Sequence, residues 1–145
     1  ERGVRSYILD GDNIRKGLNS DLGFSHEDRS ENIRRVSEVS ALLADAGQVV
    51  ITALISPYVK DRDLAKNVAP NFFHSVYIKA DIEDCKRRDP KGLYKKANSG
   101  EIKNMTGIGD IYETPTDADL VIDTSKNNIE ESVSILLQYV VKNVI

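Results

Sequence analysis

Seven consecutive residues, Gln48–Leu54 (QVVITAL), are mostly apolar and β-branched, and they are closed by Ile55-Ser56-Pro57. Such a run predicts a strand covered on both faces, the habit of strands in parallel sheets rather than of half-solvated antiparallel ones. Parallel neighbours must be joined by crossovers, usually helices, so the flanking segments should be helical. Upstream, Ile33, Val36, Val39, Leu43 and Ala46 recur at three- and four-residue spacing. Ser25 precedes that pattern as a cap, with Asp28 three residues on in the manner of a capping box, and Gly47 stands at its stop. Downstream, Lys60–Asn67 predicts a second helix.

The same alternation continues outward. Val4–Leu9 is a short β-rich run that stops at the turn formers Asp10-Gly11-Asp12-Asn13, which places two carboxylates at a strand's C-terminal end, where open sheets bind ligands. Phe73–Ile78 predicts a third strand, a short helix begins near Asp81, and Leu120–Ile122 is a fourth strand. Asn128 caps a final helix whose apolar face is Ile129, Val133, Leu136, Leu137, Val140, Val141 and Val144. Residues 86–114 break the rhythm: Lys86, Arg87, Arg88, Lys91, Lys95, Lys96 and Lys103 are interleaved with Gly92, Gly100, Gly107 and Gly109, as expected of a mobile basic lid. With no internal repeat or linker, the 145 residues read as one α/β domain with a mainly parallel sheet.

Charge and cysteine content narrow the partners. Twenty Lys and Arg against 23 Asp and Glu give a net charge of −3, so no overall attraction to a nucleic-acid polymer or an anionic membrane is expected and any anion site must be local. Cys85 has no second cysteine to pair with, and with His26 and His74 it does not fall at metal-ligand spacing, so it reads as a buried thiol in a reducing compartment. No apolar run approaches the roughly 20 residues that span a bilayer, and the charged start lacks a signal-peptide pattern. The expectation is a soluble cytoplasmic protein.

Within this frame the carboxylates of Asp10 and Asp12 suit metal holding, water orientation or acceptance of a proton from a substrate hydroxyl, although a plain turn has the same composition. Arg15, Arg29, Arg34 and Arg35 follow, with Arg29 and Asn32 in the first turns of the long helix, where free N–H groups favour an anion. Ser56 lies at the rim shared with Asp10, as a reactive hydroxyl or simply as a turn former. Phe24, alone in a polar loop, could stack on a base, and Met105 in the glycine-rich segment could do the same. The residues alone support a polyanion-binding rim with a basic lid and do not choose a substrate.

Three ordered blocks make the pattern specific: LDGDNIRKGLNSDLGFSHEDRSENIRR (Leu9–Arg35), ITALISPYVKDR (Ile51–Arg62) and RDPKGLYKKANSGEIKNMTGI (Arg88–Ile108). Together they resemble the successive signatures of the adenylylsulfate (APS) kinase family. The resemblance implies a P-loop kinase-like three-layer α/β fold. It also implies transfer of the γ-phosphoryl of ATP to the 3′-hydroxyl of APS, giving PAPS and ADP with Mg²⁺. It casts Asp10 as base or as orienter of a metal-bound water. Asp12, Asn13, Ile14 and Arg15 would line the APS site, Arg29 and Asn32 would meet its phosphosulfate, and Phe24 would stack on its adenine. Ile55 and Ser56 match the loop that approaches APS, and direct in-line transfer gives Ser56 no need of a covalent role. Lys91 would bridge phosphates from the lid, while Arg88 with Thr124 and Asn127 would border the ATP adenine. A homodimer is the implied default, and free-standing and ATP sulfurylase-fused forms both remain open.

Two departures accompany the resemblance. Asn104-Met105 stands where the family usually carries a stacking Phe, so one face of the adenine sandwich would be a thioether. No G-x-x-x-x-G-K-[ST] occurs in the chain, which opens at the family's second strand. The expectation is an APS kinase domain over residues 1–145 with its first strand, phosphate loop and first helix, roughly 30 residues, outside the sequence. The alternative is a catalytically silent module that binds APS or nucleotide without a P-loop.

Overall fold

The computed structural model describes residues 3–102 and 105–145. The chain divides into two compact units, one ending at Phe73 and the other beginning at His74.

In the first unit, β1 (Ser6–Asp10) runs into α1 (Gly11–Ile14), followed by α2 (His26–Asp45), β2 (Val49–Ala53) and α3 (Val59–Val68). β1 and β2 pair in parallel, from Ser6 opposite Val49 to Asp10 opposite Ala53. α2 begins where its cap predicts, with Ser25 Oγ accepting from the Asp28 N–H at 3.1 Å. It ends through Ala46 onto Gly47, whose φ of +80° is left-handed backbone that a glycine adopts without strain. Leu9, Ile14 and Val36 form the centre of the core, with Val39, Leu43, Val50 and Leu54 packed around them. Gly11 sits in close approach: a Cβ there would lie 3.2 Å from the Leu54 side chain, which would have to shift by a few tenths of an ångström.

In the second unit, β3 (Val76–Lys79), α4 (Ile82–Arg88), α5 (Leu93–Asn98), β4 (Leu120–Asp123) and α6 (Ile129–Asn143) follow in order. β3 and β4 are again parallel, from Val76 opposite Leu120 to Lys79 opposite Asp123. Asn128 makes a full capping box with Glu131, each side chain bonded to the other's backbone N–H.

The βα alternation is as expected, and four differences are informative. The described strands form two two-stranded parallel sheets, and β2 is not covered on both faces: Ile51 is exposed. The predicted α6 face is likewise open at Ile129, Val133 and Leu137, because within its unit β4 is the strand it packs on. The basic segment is not irregular throughout, since an isolated β-bridge joins Thr106 and Asp110 and α5 carries Lys95 and Lys96. Cys85 is half-buried rather than buried. No described helix is long and apolar enough to cross a membrane.

Candidate functional site

The site is built outward from the C-terminal end of β1. Asp10 is the N-cap of α1: its Oδ1 accepts from the Asp12 N–H at 3.0 Å and the Asn13 N–H at 3.4 Å. The turn formers read from the sequence are therefore a single helical turn that fixes one carboxylate oxygen of Asp10. Asp12 and Asn13 are exposed beside it, and Ile14 is buried in the core, anchoring the turn rather than facing solvent.

Arg15, Phe24 and Arg29 come together around the loop that joins α1 to α2. The Arg15 guanidinium lies 4.4 Å from the centre of the Phe24 ring, and the Arg29 guanidinium lies 5.7 Å from it. Arg15 Nη1 donates to the carbonyls of Leu22 (3.1 Å) and Gly23 (2.8 Å), and Arg29 Nε donates to the Phe24 carbonyl at 3.1 Å. Burial and then the charge of Arg29 pull the Arg15 guanidinium below its usual range, partly offset by Asp28. Two cations held together in this way favour an anion between them, and Phe24, 61% exposed, offers an aromatic face alongside.

Asn32 does not belong with the helix-start anion argument. It lies in the second turn of α2, beyond the reach of the terminal N–H groups, and is buried against Asn19. Asn19 Nδ2 donates to Asn32 Oδ1 at 2.9 Å.

At the end of β2, Ser56 adopts φ +43°, the left-handed region that costs a serine about 1–3 kcal/mol and tends to collect at working sites. Arg62 Nη1 clamps its carbonyl at 2.7 Å. Ile55 beside it is exposed. Because Asp10 pairs with Ala53, Ser56 lies on the same strand-end rim as Asp10.

In the second unit Arg88 and Thr124 come together: Arg88 Nη1 donates to Thr124 Oγ1 at 3.1 Å and Nη2 to the Thr124 carbonyl at 2.6 Å. Asn127 Nδ2 closes the same loop onto the Asp123 carbonyl at 2.9 Å. Lys91 is exposed between α4 and α5, and Met105 is half-buried. Asn104 lies outside the described residues.

Several supporting residues, among them the partners of Arg35, were not singled out from the sequence. Arg35 grips Asp21 with two N–H groups at 2.7 and 2.9 Å and Glu31 with its Nε at 2.8 Å, tying the Phe24 loop to α2. Hydrogen bonds from Arg34 and Arg35 hold the Glu31 carboxyl down at about 2, and the hydrogen bond from Arg35 lowers that of Asp21. Asp61, buried on α3, accepts from Ser30 on α2 at 3.1 Å. Asn19, Asp21 and Arg62 look like ordinary loop or helix-surface residues in sequence, and no spacing rule marks them.

The first unit thus carries a capped carboxylate at a strand end and an arginine–phenylalanine cluster in the loop after α1, groups whose chemistry suits an anion and an aromatic base. The family model for adenylylsulphate kinase matches residues 1–123. An adenylyl-sulfate kinase from Staphylococcus carnosus is 57% identical over 140 residues, 96% of this chain and 70% of that relative. One from Clostridium acetobutylicum is 53% identical over 139 residues, 96% of this chain and 70% of that relative. The solved structure of the Mycobacterium tuberculosis APS kinase CysC in complex with AMPPNP and APS aligns with a TM-score of 0.87 and 46% identity, covering 93% of this chain and 80% of that one. This chain belongs to the adenylylsulphate kinase family.

Proposed function

We propose that this protein is an ATP-dependent kinase that phosphorylates the 3′-hydroxyl of APS, and that the residues around Asp10 and Phe24 are its APS site. The family match over residues 1–123 supports the activity, and the Arg15–Phe24–Arg29 cluster is the observation that carries the site. Its two guanidiniums neutralise the phosphosulfate, and the exposed Phe24 ring beside them stacks on the adenine. Asn13, Asp12 and Ile55 border the nucleoside, and Arg88, Thr124 and Asn127 border the ATP base. Lys91 meets phosphate from the basic segment, and Met105 takes the stacking role usual for Phe.

Asp10 is the proposed group nearest the 3′-hydroxyl. Its Oδ1 is committed to the α1 N–H groups, and its Oδ2 takes no hydrogen bond among the described residues. One free carboxylate oxygen fits Mg²⁺ held through water, since that ion keeps most of its hydration shell, and no described cluster of three ligands offers more. When bound, Mg²⁺ would neutralise charge on the transferred phosphoryl group. Asp10 itself orients the hydroxyl and accepts its proton as the phosphoryl group is transferred. Ser56, held in its strained turn by Arg62, is assigned a positioning role and no covalent intermediate.

The 145 residues hold no G-x-x-x-x-G-K-[ST], and none of them is assigned the grip on the β- and γ-phosphates. The substrates are the small molecules APS and MgATP, and a homodimer is the proposed assembly. The test is Asp10→Ala: turnover falls about a thousandfold or more while APS affinity stays within a few-fold of wild type. Turnover near wild type would remove Asp10 from the chemistry.

A further inference from the structure

Ser56 stands directly before Pro57, and a residue in that place is pushed toward extended backbone, because the proline ring crowds the helical regions. Ser56 nevertheless adopts φ +43°, the one non-glycine residue with positive φ among those described. Neither local preference nor the need for a turn accounts for this. A glycine would take the same conformation without strain, so a serine here keeps a hydroxyl on the strand-end rim at a conformational cost. The restraint that offsets the cost comes from α3: Arg62 Nη1 donates to the Ser56 carbonyl at 2.7 Å, a short, charge-assisted bond.

The clamp has a fixed base. Pro57 and Tyr58 are buried, and the Tyr58 ring stacks on His26 at the start of α2, with centroids 4.7 Å apart and planes inclined by 17°. Asp61, beside Arg62, is buried and accepts from Ser30 on α2 at 3.1 Å. Ser37 and Ser40 bond back to carbonyls of α2 itself, those of Ile33 and Val36, whereas Ser30 reaches across to α3. The first turn of α3 therefore joins two parts of the rim assigned to APS, the turn that carries Arg29 through Asp61 and the Ser56 loop through Arg62. We infer that Arg62 is a positioning residue for APS: it holds the Ser56 loop in a left-handed, binding-competent conformation that without it is a minor state. The inference rests on the reading of the Ser56 loop as part of the APS site. Its signature is an APS affinity reduced by the fraction of chains left in the competent conformation.

The test is a double-mutant cycle in the full chain that crosses Arg62→Ala with Ser56→Gly, read by APS affinity in calorimetry and by the thermal midpoint without ligand. Arg62→Ala weakens APS binding about tenfold in the wild-type background, as the competent conformation becomes a minor one. In the Ser56→Gly background the same change weakens it by less than about threefold, because glycine visits positive φ about as readily as negative and needs no clamp to do so. Without ligand, Ser56→Gly raises the thermal midpoint of the wild type by relieving strain and does not raise that of Arg62→Ala, where the serine has already relaxed. Equal losses of affinity for Arg62→Ala in both backgrounds would mean that Arg62 serves APS by another route, and would overturn the inference, as would no loss in either. A midpoint response to Ser56→Gly that is the same with and without Arg62 would overturn it too. A wild-type chain that binds no APS would instead overturn the reading on which the inference rests, and the midpoint cycle then decides whether the clamp exists. Should Arg62→Ala not fold, Arg62→Met, which keeps the aliphatic stem and loses the donors, takes its place.

Discussion

In the unit ending at Phe73, the arginines assigned to APS are each tied to backbone carbonyls, Arg15 to Leu22 and Gly23 and Arg29 to Phe24. In the unit beginning at His74, Arg88 is similarly tied to Thr124, but the side chains of Lys95 and Lys96 make no ion pair or hydrogen bond among the described residues. The two units also differ in what lies beneath. Leu9, Ile14, Ile33, Val36 and Tyr58 are buried in the first, whereas in the second Ile122 is the one hydrophobic residue buried to that degree among those described. A guanidinium held by a carbonyl on a packed scaffold has already lost its rotamer entropy and binds an anion at little further cost. A free lysine on a thin scaffold contributes charge without fixed geometry. On the proposed reading, the first unit supplies fixed recognition geometry and the second supplies charge.

The comparison breaks first at Ile122. If it is the keystone of its unit, Ile122→Ala lowers stability by about 2–5 kcal/mol, measured by denaturant unfolding. A loss below 1 kcal/mol would mean that the second unit is held by something other than this side chain. Next comes the split between tethered and free cations: Arg29→Ala raises the KM for APS about tenfold or more. Lys95→Ala with Lys96→Ala changes it by only a few-fold and shifts its dependence on ionic strength instead. Equal effects from both would dissolve the distinction.

The smallest effect concerns the Glu31 carboxyl, which titrates at about 2 in the folded protein against 4.5 ordinarily. Its pKa is depressed by folding, so its contribution to stability is complete above about 4.5 and is lost as the pH falls toward 2. The thermal midpoint should drop across that window, and Glu31→Gln should flatten the drop. Superimposable profiles for the two proteins would remove Glu31 from the loop's anchoring.

How much of this was legible beforehand differs by residue for physical reasons. The caps Ser25 and Asn128 and the stop at Gly47 were readable, because capping depends on local backbone geometry and a few neighbouring atoms. The placement of Asp10 and Ser56 on one rim followed from strand ends and parallel pairing. The chemistry became specific only through the three signature blocks, since arginines on a helix read the same whether solvated or ligand-bound. Asn19 was invisible, because Gly17-Leu18-Asn19-Ser20 has the composition of an exposed turn and its burial is a tertiary fact. The left-handed Ser56 was equally hidden, as its conformation depends on a clamp from Arg62 six residues on. The apolar residues of β2 and α6 were read as buried, and their exposure reflects the pairing of strands two by two, which periodicity cannot reveal.

The central claim is tested most directly by incubating the protein with ATP and Mg²⁺, with and without APS, and following ADP release and the phosphorylated product together. The account predicts ADP only when APS is present, in equal amount with a product phosphorylated at the 3′-hydroxyl. APS bound without any transfer would contradict it and would leave a recognition module in place of a kinase.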